Sequence, residues 1–288
     1  MSTTTDTTTT VKSGPPRRYL PRKAALPSGP PVSKKTKWTY RGLSLLIAIL
    51  ILAIWELLPR TGLVSDIVLP SLSSVAEALL NLVQMPTFWS NFLVTMREIL
   101  GGFVFGTLIG LVLGIALAVW RSFRQISYPY VVGFQAIPKI VFAPLFIAWF
   151  GYGETSKVVM GIAIAFFPVL INTLVGLETV PADMVKLMRS LRATPLQIFR
   201  KVSFPYALPL IFAGVKQALT YAVIGALVGE FVGASAGLGY LLDSYNFQLR
   251  IDYVFALIVV LAIVGAALYF IVEWLDKRLI YWREQQLG

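Results

Sequence analysis

The sequence contains no cysteine and no histidine. The first absence excludes disulfides and thiolate metal sites. The second removes the commonest metal ligand and general base. Charge is scarce as well: Asp, Glu, Lys and Arg make up 14% of the 288 residues, against about 25% in a soluble domain. No Gly-x-x-x-x-Gly-Lys-Ser/Thr phosphate loop occurs anywhere, so the chain is not expected to hydrolyse ATP itself. An integral membrane enzyme would lack its usual groups, because few carboxylates fall at mid-membrane positions to replace the missing imidazoles and thiols.

What the sequence has instead is apolar length. Hydrophobic residues make up 57% of the chain and the mean hydropathy is +0.74. They fall in runs at about 42–58, 91–120, 128–150, 156–177, 208–232 and 253–274. Each meets or approaches the roughly 20 residues that cross the hydrocarbon core. The expectation is an all-α integral membrane protein of about six transmembrane helices. The first run is the shortest, but Trp38, Tyr40 and Trp55 supply interfacial aromatics at its ends. Between the first two runs, Ser74 and Glu77 have the spacing of a capping box. It is expected to open a short amphipathic helix, through about Val83, along the outer surface. Residues 1–37 are Thr-rich, then Pro-rich and basic, without an apolar period. They are expected to form a disordered tail rather than a signal peptide, leaving 38–288 as the membrane domain.

Six spans place both termini on one side. Nineteen of the 25 Lys and Arg residues lie in the tail, the second-to-third loop, the fourth-to-fifth loop and the C-terminus. Only Arg60, Lys157 and Arg250 are assigned to the opposite side. The positive-inside rule makes the first side cytoplasmic. The net charge of +11 then reflects topology and contact with anionic lipid, and no nucleic acid partner is expected.

Two glycine ladders run at four-residue spacing: Gly102, Gly106, Gly110 and Gly114 in the second run, and Gly225, Gly229, Gly233 and Gly237 at the fifth. Small residues at this spacing let helices approach closely in lipid. They suit either packing within one subunit or a sliding or dimer surface.

The loop at 181–206 is the most informative stretch. With Asp183 as the expected N-cap, Met184, Leu187, Met188 and Leu191 share one helical face. Lys186, Arg189 and Ser190 take the other. Thr194 and Gln197 then form a capping box with Pro195 at the first helical position. Ile198, Phe199 and Val202 give a second apolar face before Pro205. Such faces pack on the chain's own spans or lipid headgroups, or dock a soluble partner.

This loop resembles the cytoplasmic "EAA" signature of ATP-binding-cassette importer permeases: Glu-Ala-Ala, three residues, Gly, nine residues, Ile, any residue, Leu, Pro. Lys186, Leu187, Met188, Arg192, Val202, Phe204 and Pro205 stand at its positions. Lys186 replaces Glu, Leu187 and Met188 replace Ala-Ala, and Arg192 replaces Gly. Because arginine disfavours the left-handed conformation a glycine permits, the helix break is expected at Thr194–Pro195 instead. The flanking text adds weight: residues 136–151 (AIPKIVFAPLFIAWFG), 197–202 (QIFRKV), 204–209 (FPYALP) and 229–239 (GEFVGASAGLG). Over about 40–280 the chain resembles the nitrate/sulfonate/taurine type of permease, with Ser190 to Thr194 worded most like the thiamine-precursor and riboflavin branch.

The resemblance implies a type I importer permease-like fold in a bacterial inner membrane. It implies two copies of the chain forming the pathway, a cytoplasmic pair of ATP-binding subunits, and an extracytoplasmic solute-binding protein. No cofactor is expected on this chain, since ATP and Mg belong to the partner. The ATPase-docking set is Lys186, Leu187, Met188, Arg189, Ser190, Leu191, Arg192, Ala193, Thr194, Pro195, Ile198, Phe199, Val202 and Pro205. Polar residues within the spans, with Pro138 for the backbone carbonyls a proline frees, are the translocation-path candidates: Gln135, Pro138, Lys139, Asn172 and Glu230. They suit lining or gating, or alternatively structural pairing. Lys216 is expected to snorkel, and Glu56, Glu98, Glu273 and Asp276 to sit at exposed span ends. The competing reading, a secondary transporter or channel acting alone, would want inverted repeats or paired mid-membrane acids. Neither is evident in the sequence.

Overall fold

The computed structural model describes residues 34–280. The chain divides into two units, Met1–Ile51 and Leu52–Gly288. The expected tail lies outside the described residues up to position 33. Residues 34–37 belong to the first helix, α1 (Lys34–Arg60).

Among the described residues ten further α-helices follow: α2 (Leu72–Gln84), α3 (Pro86–Val119), α4 (Arg121–Ala136), α5 (Ala143–Phe150), α6 (Glu154–Glu178), α7 (Ala182–Ser190), α8 (Pro195–Ile198), α9 (Phe204–Gly233), α10 (Leu238–Phe247) and α11 (Ile251–Leu279). Among the described residues five stretches are long and apolar enough to span a bilayer, or six if the bent pair α4 and α5 counts as one. The third expected span is therefore not a continuous helix. It bends by 86° between α4 and the segment Lys139–Phe150. Proline is the cause: a residue before proline is pushed out of the α region, and Ile137 has ψ 128°. Pro138 then opens a short 3₁₀ turn, Lys139–Phe142.

The core is a three-helix stack with α6 at its centre, its apolar window 56% buried. α3 packs on one side and α9 on the other. The glycine ladders make this possible: Gly102, Gly106, Gly110 and Gly114 of α3 and Gly225 and Gly229 of α9 face α6, whereas Gly233 faces Tyr152 and Ile147 and Gly237 lies beyond the end of α9 against Glu230. A Cβ on Gly102 would lie 2.9 Å from Gly161 Cα, and one on Gly225 would lie 2.7 Å from the same atom. The ladders are thus packing surfaces within one chain.

α2 lies against α10 and α11, burying Val75, Ala78 and Leu82 with Leu238, Tyr253 and Leu257. Its N-cap is Ser71, whose side chain accepts a bond from Ser74 N–H, not Ser74 as the capping-box spacing suggested. The helix starts one turn earlier, because Ser71 follows Pro70 and the hydroxyl reaches the third amide along.

Candidate docking loop and membrane cleft

The loop between α6 and α9 holds two short helices, as its apolar spacing predicts, with different caps. Pro181, not Asp183, caps α7, and no side chain bonds the first amides. Asp183 sits in the first turn and pairs with Lys186 at 3.1 Å. The end of α7 also departs from expectation. Arg192 has φ +57°, so it adopts the left-handed conformation after all. Ala193 N–H donates to Met188 carbonyl (3.0 Å) and Arg192 N–H to Arg189 carbonyl (2.9 Å). These two bonds are the Schellman termination. They satisfy carbonyls that would otherwise end unpaired, which offsets the roughly 1–2 kcal/mol cost of a non-glycine residue there. Arg192 thus stands where the EAA pattern has glycine, in the conformation that glycine would take.

The second break is as the sequence predicts. The Thr194 side chain accepts from Gln197 N–H, and the Gln197 side chain accepts from Thr194 N–H, with Pro195 in the first turn. Beyond α8 the backbone widens into a π turn over Phe199–Ser203. Pro205 explains it: proline offers no N–H to an α-helical partner and crowds the preceding turn. α8, the π turn and α9 form one 39-residue rod, Pro195–Gly233.

The loop's apolar side chains divide into two groups. Ile198 is buried, and Met188, Phe199 and Val202 are half-buried. Leu187 (62% exposed), Leu191 (68%) and Leu196 (64%) project outward. Lys186, Arg189, Ser190, Arg192, Thr194 and Pro195 are exposed around them, with Ala193 and Pro205 half-buried.

Within the spans, α4, α6 and α9 enclose a cleft of about 480 Å³ bordered by Gln135, Lys139, Phe167, Asn172, Gln217 and Tyr221. Three path candidates, Gln135, Lys139 and Asn172, therefore meet here. Lys139 Nζ donates to Gln135 carbonyl at 3.1 Å and stands 4.7 Å from the Phe167 ring centre. Asn172 Nδ2 donates to Pro168 carbonyl (2.8 Å) and approaches Gln217 Oε1 (3.5 Å). Pro138 shapes the cleft by breaking the helix but does not border it. Gln217 and Tyr221 are additions. Their signal was available, as polar side chains one turn apart in a largely apolar run.

Glu230 is elsewhere. It is 2% exposed and enclosed by the chain's own helices rather than by the cleft. Thr95 Oγ1 donates to Glu230 Oε1 at 2.6 Å, and Gly239 N–H donates to Glu230 Oε2. Leu238 N–H donates to Thr95 Oγ1 at 2.7 Å, and Gly237 N–H to Asn91 Oδ1 at 2.7 Å. Lys157 and Glu98, expected at an outer loop and an exposed span end, are each 1% exposed in the same cluster. Lys157 Nζ donates to the carbonyls of Tyr152 and Gly233, both at 2.6 Å. The cluster pins the turn after α9 onto α3. Lys216 does not snorkel freely: it pairs with Glu273 and Asp276 of α11.

Comparison with known proteins places this architecture. Residues 106–281 match the family described as "Binding-protein-dependent transport system inner membrane component". A probable ABC transporter permease protein of Haemophilus influenzae is 36% identical over 82% of this chain and 96% of its own length. The riboflavin transport system permease protein RibX of Chloroflexus aurantiacus is 33% identical over 93% of this chain and 97% of its own. The taurine transport system permease protein TauC of Escherichia coli is 29% identical over 87% and 94%. Among solved structures, a chain of the MetNI methionine ABC transporter in an inward-facing conformation superposes with a TM-score of 0.60 at 23% identity, covering 68% of this chain and 99% of that one; this likeness shows the fold. With the family model matching well over half of the chain and near-full-length relatives above 30% identity, the chain belongs to the binding-protein-dependent transport system inner membrane component family, as an ABC importer permease of the nitrate/sulfonate/taurine type.

Proposed function

We propose that two copies of this chain form an alternating-access pathway for a small polar or anionic solute, driven by a separate pair of ATP-binding subunits docked on the loop at 181–206. The observation that carries the reading is the outward projection of Leu187, Leu191 and Leu196 on a loop whose second helix is continuous with α9. Exposed leucines on an extramembrane loop favour a protein surface that covers them. A push at Leu196 then acts on a single rod, and α9 borders the cleft through Gln217 and Tyr221. Closure of the ATPase pair on nucleotide would draw two such loops together and reorient the cleft between its inner and outer openings.

In this reading the loop and both termini face the cytoplasm, and a soluble binding protein delivers solute on the opposite side. The cleft's amides, phenol and one ammonium suit a polar or anionic cargo. Relatives named for riboflavin, aliphatic sulfonates, formylaminopyrimidine and taurine support nitrate/sulfonate/taurine-like or pyrimidine/riboflavin-like solutes. ATP and Mg act on the partner subunits.

The test is copurification in mild detergent followed by reconstitution. An ATP-binding subunit should accompany the chain, and uptake into liposomes should require it together with ATP. Uptake by the purified chain alone would overturn the proposal in favour of a secondary transporter.

A further inference from the structure

A second concavity lies where α3, α4, α5 and α6 meet. It is a groove of about 560 Å³, within the range of about 300–1,000 Å³ that holds small ligands. Leu113 and Leu117 of α3, Phe123, Ser127 and Tyr130 of α4 and Leu170 of α6 are among its walls. Lys139 contributes only its stem, since its ammonium is engaged by Gln135 carbonyl and the Phe167 ring. A hollow of about 590 Å³ opens between α3, α4 and α6, bordered by Ala118, Arg121, Arg124, Gln125, Leu177 and Glu178.

The two spaces are neighbours on these helices. Leu117 borders the groove and Ala118 the hollow. On α4, Phe123 and Ser127 border the groove while Arg124 and Gln125 border the hollow. On α6 the step runs from Leu170 to Glu178. Arg124 pairs with Glu178. Arg121 has no carboxylate partner among the described residues, so the hollow keeps one uncompensated positive charge. α4 also begins here with no side chain capping its first amides, which adds to the positive end of the site.

An apolar groove beside a cationic pocket, on helices apolar enough to span a bilayer, suits a phospholipid. Within hydrocarbon there is no hydrophobic drive for a protein segment to enter such a groove, whereas a flexible acyl chain fills it and its phosphate meets the arginines. We propose that the α3–α4–α6 groove binds an anionic phospholipid, with one acyl chain along Leu117, Phe123 and Leu170 and the phosphate at Arg121 and Arg124. The proposal is independent of the transport reading and requires only that the chain lies in a bilayer.

The experiment is native mass spectrometry of the full chain, purified in detergent and equilibrated with equal amounts of phosphatidylglycerol and phosphatidylcholine. The wild type should retain phosphatidylglycerol in preference. Arg121→Gln removes one surface cation, worth about a fivefold loss of that preference. Ser127→Trp fills the groove and should lower retention of both lipids. Arg121 is exposed, so its variant is expected to fold and decides the matter alone if Ser127→Trp does not insert. Equal retention of the two lipids by wild type, a wild-type ratio in Arg121→Gln, or a lipid-free chain whose groove is covered by a second copy would each overturn the proposal.

Discussion

Gly102 of α3 and Gly161 of α6 meet backbone to backbone, with a Cβ on Gly102 placed 2.9 Å from Gly161 Cα. α9 approaches the same glycine from the other side through Gly225. Gly161 is therefore the point about which three spans are packed.

Gly161→Val should force both neighbours off α6. Overpacking of a tight interface costs about 1–3 kcal/mol, so the detergent-solubilised protein should melt at clearly lower temperature. Gly133→Ala is the control, because nothing lies within 4 Å of a Cβ at that position. Equal melting of the two variants would show that the ladder contacts contribute nothing.

Leu187→Asp tests the docking surface without touching the core, since Leu187 is 62% exposed. An interface hot spot of about 2 kcal/mol corresponds to roughly thirty-fold weaker association. Capture of the ATP-binding subunit should fall by that order and ATP-driven uptake with it, while membrane insertion stays normal. Undiminished uptake would remove the loop from the coupling path.

Arg192→Gly should be neutral or stabilising, because the residue already sits at φ +57° and glycine relieves about 1 kcal/mol of left-handed strain. Arg192→Val should do the reverse, as β-branched residues tolerate this region worst. Amide exchange at Arg192 and Ala193 reads the effect directly. Faster exchange in the glycine variant would mean that the arginine side chain, not the turn, holds the loop.

Thr95→Val deprives Leu238 N–H of its acceptor and Glu230 Oε1 of a donor in a fully buried setting. Unpaired buried groups cost about 1–3 kcal/mol. Thermal stability should drop by that order, and Thr95→Ser should recover most of it by keeping the hydroxyl. A valine variant as stable as wild type would show that the turn after α9 is held by packing alone.

Much of this architecture is legible along the chain. The Thr194–Gln197 box depends on residues three apart, and the fourth and sixth apolar runs match α6 and α11 within a few residues. The third run is one apolar stretch in the sequence and a bent helix pair in the fold, because hydropathy averages over a proline. The 86° bend follows from Ile137–Pro138 sterics together with the open space beside α4. Arg192 was misjudged because intrinsic preference was weighed without the two carbonyls that its turn satisfies. The box expected at Ser74 gives way to a cap at Ser71 because a capping box is a spacing, while the cap itself is a geometry.

The buried charges mark the boundary. The order of residues determined that the protein lives in a membrane, where its helices run, which loop carries apolar faces at helical spacing and where two glycine ladders lie, because hydrophobic burial and local sterics act over a few neighbouring residues. Only the folded arrangement decided that Glu98, Lys157 and Glu230 gather behind α3 while Gln135, Lys139 and Asn172 gather at the cleft. Whether an ionisable side chain in a helix meets a partner, a cavity or lipid depends on which distant helix stands against it, and that is set by the way α3 and α9 close on α6.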